Sequence, residues 1–299
     1  MLGILYALVP LVCWGSIGFV ANKIGGDAHQ QTLGTTLGAF IFALGVWLIV
    51  RPALTWQIWL IGVIGGMIWA LGSSRQYHAM KYMGVSVAVP LSAGSQLVLG
   101  SVVGVLAFHE WTLPIQFILG TIAMVVLCFG FYASAKRDPE AESTVTQVEN
   151  ASPDVRKGLI SLALSTFGFV LYVVIYNNLS GPLFGVHFDT FQIILPMSVG
   201  MILGAWGLSG FRVKLAPVVA KNMSVGIMWG IGNIFMLEAA KLAGLAIAFT
   251  FSQLGIIISI VGGILFLGEK KTQRELRYVT LGIVLFVVGA ILLAIVKAQ

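Results

Sequence analysis

The stretch WALGSSRQYHAMKYMG, residues 69–84, decides the fold because a related stretch, WGIGNIFMLEAAKLAG, occupies residues 229–244. Adding 160 to a residue number aligns the two copies, and identical residues extend beyond both ends of the quoted segments. The identical pairs are Gly66 and Gly226, Trp69 and Trp229, Gly72 and Gly232, Ala79 and Ala239, Lys81 and Lys241, Gly84 and Gly244, Ala88 and Ala248, and Ser92 and Ser252. Shared tryptophan and lysine are uncommon matches in an apolar sequence, so the pattern predicts an internal repeat.

The sequence around these stretches is typical of a membrane protein. The chain is 58% hydrophobic and 9% charged, whereas an ordinary soluble domain is about 25% charged. Apolar segments of roughly 20 residues, the length of a transmembrane helix, alternate with polar clusters. No basic segment precedes the first one, so it is interpreted as a retained span and not as a signal peptide. The sequence therefore predicts an all-α, polytopic membrane protein with spans at residues 2–22, 32–50, 56–80, 84–108, 113–135, 157–179, 187–207, 217–240, 244–267 and 276–297.

A polar segment divides the ten predicted spans into two halves. Residues 136–156 hold two prolines and five acidic residues, a composition typical of a flexible solvated linker. Five spans precede it in residues 1–135 and five follow it in residues 157–299. Because five is an odd number, the second half enters the membrane in the opposite direction. Inverted repeats of this kind are typical of transporters whose substrate site lies near the membrane midplane.

Lysine and arginine predict the orientation. Of the 17 basic residues, all but Arg51, Arg75, Lys241 and Lys297 fall in the loops that follow spans 1, 3, 5, 7 and 9. Because basic loops stay in the cytoplasm, we expect a cytoplasmic linker and both termini outside. The net charge of +6 is explained by this topology. The basic residues form no stripe in the sequence of the kind that binds nucleic acid.

Uncharged polar and aromatic side chains recur at helical spacing within the spans. Trp69, Ser73 and Gln76 share one face of span 3, and Trp229 and Asn233 occupy the corresponding face of span 8. Amides and hydroxyls donate and accept hydrogen bonds as sugar hydroxyls do, so these side chains fit a neutral polyol. The alternatives are helix–helix hydrogen bonds for the polar residues and a membrane-interface position for tryptophan. The candidate substrate-binding residues are Trp14, Asn22, Trp69, Ser73, Gln76, Ser92, Gln96, Tyr172, Tyr176, Gln192, Trp229, Asn233, Ser252 and Gln253.

Four ionisable residues in or near the spans are candidates for coupling transport to a proton, because such groups are costly in a bilayer. They are Arg75, His78, Asp189 and Glu238. The sequence leaves alternatives open for three of them. Glu238 could pair with Lys241, Asp189 could cap the helix of span 7, and Arg75 could pair with an acid elsewhere.

Enzymatic chemistry has no support in the sequence. The four histidines, at positions 29, 78, 109 and 187, lie in different segments and form no metal-ligand motif. Cys13 and Cys128 fall inside predicted spans, where we expect packing roles and no disulfide. We therefore expect no metal and no cofactor, and the partners that remain are a small substrate, a proton and the lipid bilayer. The oligomeric state stays open.

Several segments resemble the glucose/ribose porter family of the drug/metabolite transporter superfamily. They are AMKYMGVSVAVPLSAGSQLV at 79–98, HEW at 109–111, GN at 232–233 and FSQLGIIISIVGGILFLGEKK at 251–271. The resemblance covers nearly the whole chain and implies a bacterial cell-membrane protein that takes up glucose or ribose, driven by a proton gradient. It also implies a central cavity lined by spans 1, 3, 4, 6, 8 and 9, but it assigns no sugar-binding residue. A porter of another small neutral metabolite, a drug exporter, or a facilitator without coupling are the remaining alternatives on the same fold.

Overall fold

The computed structural model describes residues 2–109, 111–136, 154–176, 181, 185, 187–243, 248, 251–252 and 254–298. The described residues form helices and no strands, which confirms the predicted all-helical class. The helices are α1 (Leu2–Ile24), α2 (Ala28–Val50), α3 (Trp56–Met83), α4 (Val85–Phe108), α5 (Pro114–Ala135), α6 (Val155–Val174), α7 (Thr190–Leu208), α8 (Pro217–Ala243), α9 (Gly255–Phe266) and α10 (Gln273–Ala298).

Nine of these helices, within the described residues, are long and apolar enough to cross a membrane. The other, α9, has 12 residues and lies in the predicted span 244–267. Residues 248, 251 and 252 of that span are also helical, and the rest of 244–253 lies outside the described residues. Large apolar side chains are exposed on the outer helix faces, such as Ile49 at 84% and Leu265 at 70%. Lipid is the solvent that such faces fit, so the chain is a multi-pass membrane protein.

Helices α2, α6 and α10 begin earlier than predicted because their caps lie in segments that were assigned to loops, as Asp154 does for α6. α2 begins at Ala28 instead of residue 32, since Asp27 accepts the Gln30 backbone N–H at 2.9 Å and the Gln30 side chain accepts the Asp27 N–H at 3.1 Å. This arrangement is a capping box. α10 begins at Gln273 instead of residue 276. There Thr272 accepts the Glu275 N–H at 3.1 Å and Glu275 accepts the Thr272 N–H at 3.2 Å.

The connection between α3 and α4 is a single residue. α3 continues to Met83, three residues beyond the predicted boundary, and α4 begins at Val85. Gly84 has φ +80°, a backbone conformation that other residues rarely adopt. Lys81, which we placed in the turn, therefore lies in the last turn of α3.

The loops meet at two opposite ends of the helix bundle. The segments that follow α1, α3, α7 and α9 are brought together at one end, where residues 27–30 share a cavity with residues 209–214 and Glu269 binds Val85. At the other end, Gln192 at the start of α7 donates to the Ala53 carbonyl after α2, and Gln116 at the start of α5 donates to Val296 near the end of α10. Helices therefore alternate in direction along the chain, and α1 and α6 run oppositely.

Glycines that correspond in the two halves pack in the same way. A Cβ atom at Gly66 of α3 would overlap the Met197 carbonyl oxygen of α7, and a Cβ at Gly226 of α8 would overlap the Thr35 carbonyl oxygen of α2. Both glycines therefore allow two helix backbones to touch. The larger pattern also corresponds, since α3 packs on α6 and α7, and α8 packs on α1 and α2.

Candidate functional site

The two tryptophans that correspond in the repeat contact each other in the middle of the protein. The ring centroids of Trp69 on α3 and Trp229 on α8 are 5.4 Å apart, and the rings are tilted by 60°. Both side chains are buried, with 6% and 8% of their surface exposed. The contact joins the two halves of the chain at equivalent positions.

The Trp229 carbonyl oxygen receives two side-chain hydrogen bonds. Trp14 Nε1 on α1 donates to it at 3.3 Å, and Asn233 Nδ2, one turn further along α8, donates at 2.8 Å. Gly232 makes the first bond possible, because a Cβ atom there would overlap the Trp14 ring. Trp14, Trp229 and Asn233, all predicted candidates, are therefore brought together.

A row of aromatic side chains extends from Trp69 along α6. Phe169 packs edge-on against Trp69 at 5.9 Å and against Tyr172 at 6.4 Å, and Tyr172 packs against Tyr176 at 5.6 Å. The Tyr176 hydroxyl donates to the Gly62 carbonyl at 3.0 Å. The predicted tyrosines thus join the tryptophans. Phe169 was not predicted, because one phenylalanine in an apolar span carries no distinguishing signal.

Two glutamine side chains converge on one serine. Gln76 Nε2 on α3 donates to Ser92 Oγ on α4 at 2.8 Å, and Gln96 Nε2 donates to the same oxygen at 3.0 Å. Ser92 is fully buried, whereas both glutamines are half-buried. A glutamine amide offers two donors and an acceptor, so each keeps hydrogen-bonding capacity beyond its bond to Ser92.

The tryptophan pair and this amide cluster lie along the same face of α3. Seven residues separate Trp69 from Gln76, a rise of about 10 Å along the helix axis. Ser73 lies between them on that face and is buried. On the opposite helix, α6, Thr166 lies 2.7 Å from Ser95 of α4 between hydroxyl oxygens. This Ser95–Thr166 link was not predicted, since the sequence does not show that α4 and α6 are neighbours.

Other predicted substrate-binding residues lie elsewhere. Asn22 donates to the Gly18 carbonyl at 2.8 Å and contacts Met80 Sδ at 3.4 Å. Gln192 completes a capping box at the start of α7, at the end of the bundle. Ser252 is buried near the start of α9, and Gln253 lies outside the described residues.

The acidic candidates have local partners. Glu238 Oε1 is 2.7 Å from Lys241 Nζ, and this ion pair is partly exposed. Asp189 accepts the Gln192 backbone N–H at 2.9 Å and caps α7. These are the alternatives that the sequence left open. Arg75 is half-buried on α3 and makes no hydrogen bond or ion pair with any residue that the structure describes.

His78 has a histidine neighbour that the sequence analysis did not pair with it. The rings of His78 and His29 are 5.2 Å apart between centroids, with an angle of 75° between their planes. His78 Nδ1 lies 2.8 Å from the Ser74 carbonyl oxygen. The described residues contain no group of three His, Cys, Asp or Glu side chains that could hold a metal ion.

Comparison with known proteins gives full-length matches. The family described as "Sugar transport protein" matches residues 5–296. The chain is 64% identical to "Putative sugar uptake protein YxfA" of Lactococcus lactis subsp. lactis (strain IL1403), with both chains covered completely. It is 58% identical to M6_Spy1874 of Streptococcus pyogenes serotype M6 and 56% identical to SAG2157 of Streptococcus agalactiae serotype V, which carry the same descriptive name and are also completely covered.

Proposed function

The chain belongs to the sugar transport protein family, and from this premise we propose that it carries a monosaccharide, glucose or ribose, into the cell together with a proton. Membership of the family makes it a transporter and not an enzyme. The observation that carries the finer proposal is the arrangement along α3, where the tilted Trp69–Trp229 pair lies about 10 Å along the helix axis from a cluster of neutral amides.

The sugar lies between these two groups in our proposal. Its hydroxyls exchange hydrogen bonds with Gln76, Gln96 and Asn233, whose amides both donate and accept. Its apolar C–H face packs on a tryptophan ring, which offers a flat surface. The side chains proposed to bind the sugar are all uncharged. The site therefore favours a free sugar over a sugar phosphate.

The Trp69–Trp229 contact belongs to a closed conformation in this proposal. Centroids 5.4 Å apart leave no space for a sugar ring between two aromatic rings, since each ring contact needs roughly 3.5–4 Å. A sugar that stacks on either inner face must therefore separate α3 from α8. Binding energy then favours the conformation in which the two halves have moved apart.

We propose that the two halves are inverted repeats that rock about this contact, as in other transporters of that architecture. The matching contacts of Gly66 and Gly226 support the proposal, as do the opposite directions of α1 and α6. The excess of basic residues supports placing the end with the α3–α4 turn and Glu269 in the cytoplasm.

For the proton, we propose His78 ahead of the other candidates. Glu238 is engaged with Lys241 in a partly exposed pair and Asp189 caps a helix, so both acids already have local partners. Arg75 stays charged at physiological pH and cannot carry the proton. His78 is half-buried, carries an imidazole that can bind and release a proton, and lies two residues from Gln76.

The test is uptake of labelled glucose and labelled ribose into proteoliposomes, with and without an inward proton gradient. Saturable uptake of one sugar, concentrated only under the gradient, is the expected result. Uptake that stops at equilibrium under both conditions would replace the symporter with a facilitator. Absence of uptake for both sugars would leave a different small neutral solute as the substrate.

A further inference from the structure

We infer that His29 and His78 form one proton-binding site, and that this site releases the transported proton into a polar cavity at the cytoplasmic end of the protein. The inference rests on the proposed proton coupling and adds to it a second histidine, a direction and a route. His29 lies in the first turn of α2, and His78 lies in the last turns of α3.

The two histidine rings are in contact with each other. Their centroids are 5.2 Å apart and one ring edge faces the other ring, so two positive charges here would repel each other strongly. Arg75 and Lys81 add further positive charge near His78. The pair therefore holds a single proton, shared as one coupled unit.

One ring nitrogen of the pair lacks a hydrogen-bond partner among the described residues. His29 Nδ1 is buried and makes no hydrogen bond with the residues that the structure describes. A buried polar atom in this state costs free energy, and such an atom in a native protein requires an explanation. A proton or a water that visits this nitrogen during transport supplies one.

The neighbour of His78 Nδ1 determines the tautomer of the His78 ring. The Ser74 carbonyl oxygen, 2.8 Å from Nδ1, can only accept a hydrogen bond, so Nδ1 carries the hydrogen. In the neutral ring the lone pair is therefore on Nε2. Protonation forms an Nε2–H bond and gives an imidazolium, and release returns the proton without any change in electrons.

The pair has a path to water through His29. His29 also lines a cavity of about 350 Å³, together with Asp27, Gln30, Ser209, Arg212 and Lys214. These residues lie at the start of α2 and in the loop after α7, at the predicted cytoplasmic end, where basic residues are concentrated. His29 thus connects His78 to a polar opening at that end.

The pair also lies where coupling requires it. The contact between His29 and His78 joins α2 to α3, the helix that carries Trp69 and Gln76. A proton here adds positive charge beside Arg75 and Lys81 and favours separation of the helix ends. Release removes that charge, and the ends close again. The proton thereby shifts the equilibrium between two conformations through its different affinity for each.

Two assays on the full-length protein in proteoliposomes test the site. Exchange of labelled for unlabelled sugar needs no net proton movement, whereas accumulation under an inward proton gradient does. We expect H29Q and H78Q to retain exchange but to lose accumulation, so that the internal-to-external sugar ratio falls to about one. The double variant should be no worse than either single variant, because the pair acts as a unit. H187Q, which changes an exposed histidine, is the matched control and should accumulate sugar as the wild type does.

The outcomes separate this inference from the proposed function. Wild-type accumulation that survives in H29Q overturns the histidine pair but leaves the symporter. Wild-type exchange without accumulation overturns both the pair and proton coupling but leaves a sugar transporter. If the variants lose exchange as well, nitrogen NMR of wild-type protein labelled at histidine tests whether the two histidines share one proton. One proton taken up between His29 and His78, with Nδ1–H on neutral His78, supports the site, and two independent titrations overturn it.

Discussion

Glu269 binds the start of helix α4 from the opposite half of the protein, and its Oε2 atom accepts the Ser86 backbone N–H at 3.2 Å across 183 residues of sequence. The same carboxylate accepts the Ser86 hydroxyl and the Val85 N–H, the latter at 2.6 Å. Gly84 leaves room for it, since a Cβ atom there would lie 3.0 Å from Glu269 Oε1. The first N–H groups of a helix have no partner within the helix, and a carboxylate also complements the helix dipole.

We expect E269A to destabilise the protein by about 1–3 kcal/mol, because it removes charge-assisted hydrogen bonds to partly buried donors. A lower Tm in detergent, measured by fluorescence, checks this value. The variant should also raise the leak of sugar through proteoliposomes, since the bond fastens α9 to α4 at the predicted cytoplasmic end. E269Q keeps one acceptor oxygen, so its Tm should lie between those of the wild type and E269A. An unchanged Tm in both variants would contradict the capping role.

Gln76→Ala is expected to raise the KM for sugar about fivefold to tenfold, which corresponds to the loss of about one hydrogen bond. Uptake rates over a range of sugar concentrations provide the measurement. Gln57→Ala is the matched control, because Gln57 lies near the start of the same helix, far from Ser92. Equal kinetics for both variants would remove Gln76 from the sugar site.

Trp69→Phe should weaken sugar uptake more than Trp59→Phe does. Both residues lie on α3, but Trp69 is buried against Trp229 whereas Trp59 is 37% exposed on the outer face. The smaller ring of phenylalanine loses stacking area on the sugar and contact with Trp229, so the loss is about 1 kcal/mol or fivefold in affinity. Sugar-dependent quenching of tryptophan fluorescence gives a second measurement, and an effect as large in Trp59→Phe would argue against a specific role for Trp69.

Local patterns in the sequence predicted the helices and singled out some of the residues that meet in the middle of the protein. Apolar segments of roughly 20 residues predicted the spans. The offset of 160 aligned Trp69 with Trp229, and the two side chains contact each other in the structure. Helical spacing grouped Trp69, Ser73 and Gln76 correctly on one face of α3. These features depend on residues close together in the chain or on two related copies of one segment.

Features that depend on tertiary neighbours were not predictable in the same way. His29 and His78 lie on different helices, and only the packing of α2 on α3 brings them together. The role of Glu269 required knowing that the end of α9 reaches the start of α4. Some helix ends differ from the predicted ones for a related reason. The capping box at Asp27 and Gln30 uses polar residues, which resemble a loop in the sequence.

Glu238→Gln is expected to leave accumulation of sugar under a proton gradient unchanged. Its carboxylate pairs with Lys241 in a partly exposed ion pair, and such pairs contribute about 0–1 kcal/mol. Sugar accumulation at several external pH values provides the check. A shifted pH dependence in this variant would return Glu238 to the list of proton carriers and weaken the case for His78.

The last prediction concerns the packing that supports the two-repeat proposal. Gly66→Ala and Gly226→Ala should both lower the Tm, because a Cβ atom at either position would overlap a backbone carbonyl that cannot move aside easily. Overpacking of this kind costs about 1–3 kcal/mol. Gly45→Ala in α2 is the control, since no atom lies within 4 Å of its Cβ position, and replacing a helical glycine there should stabilise by about 0.5–1 kcal/mol. If the halves are structural copies, the two damaging substitutions should cost similar amounts, and a large cost at only one of them would contradict equivalent roles for α3 and α8.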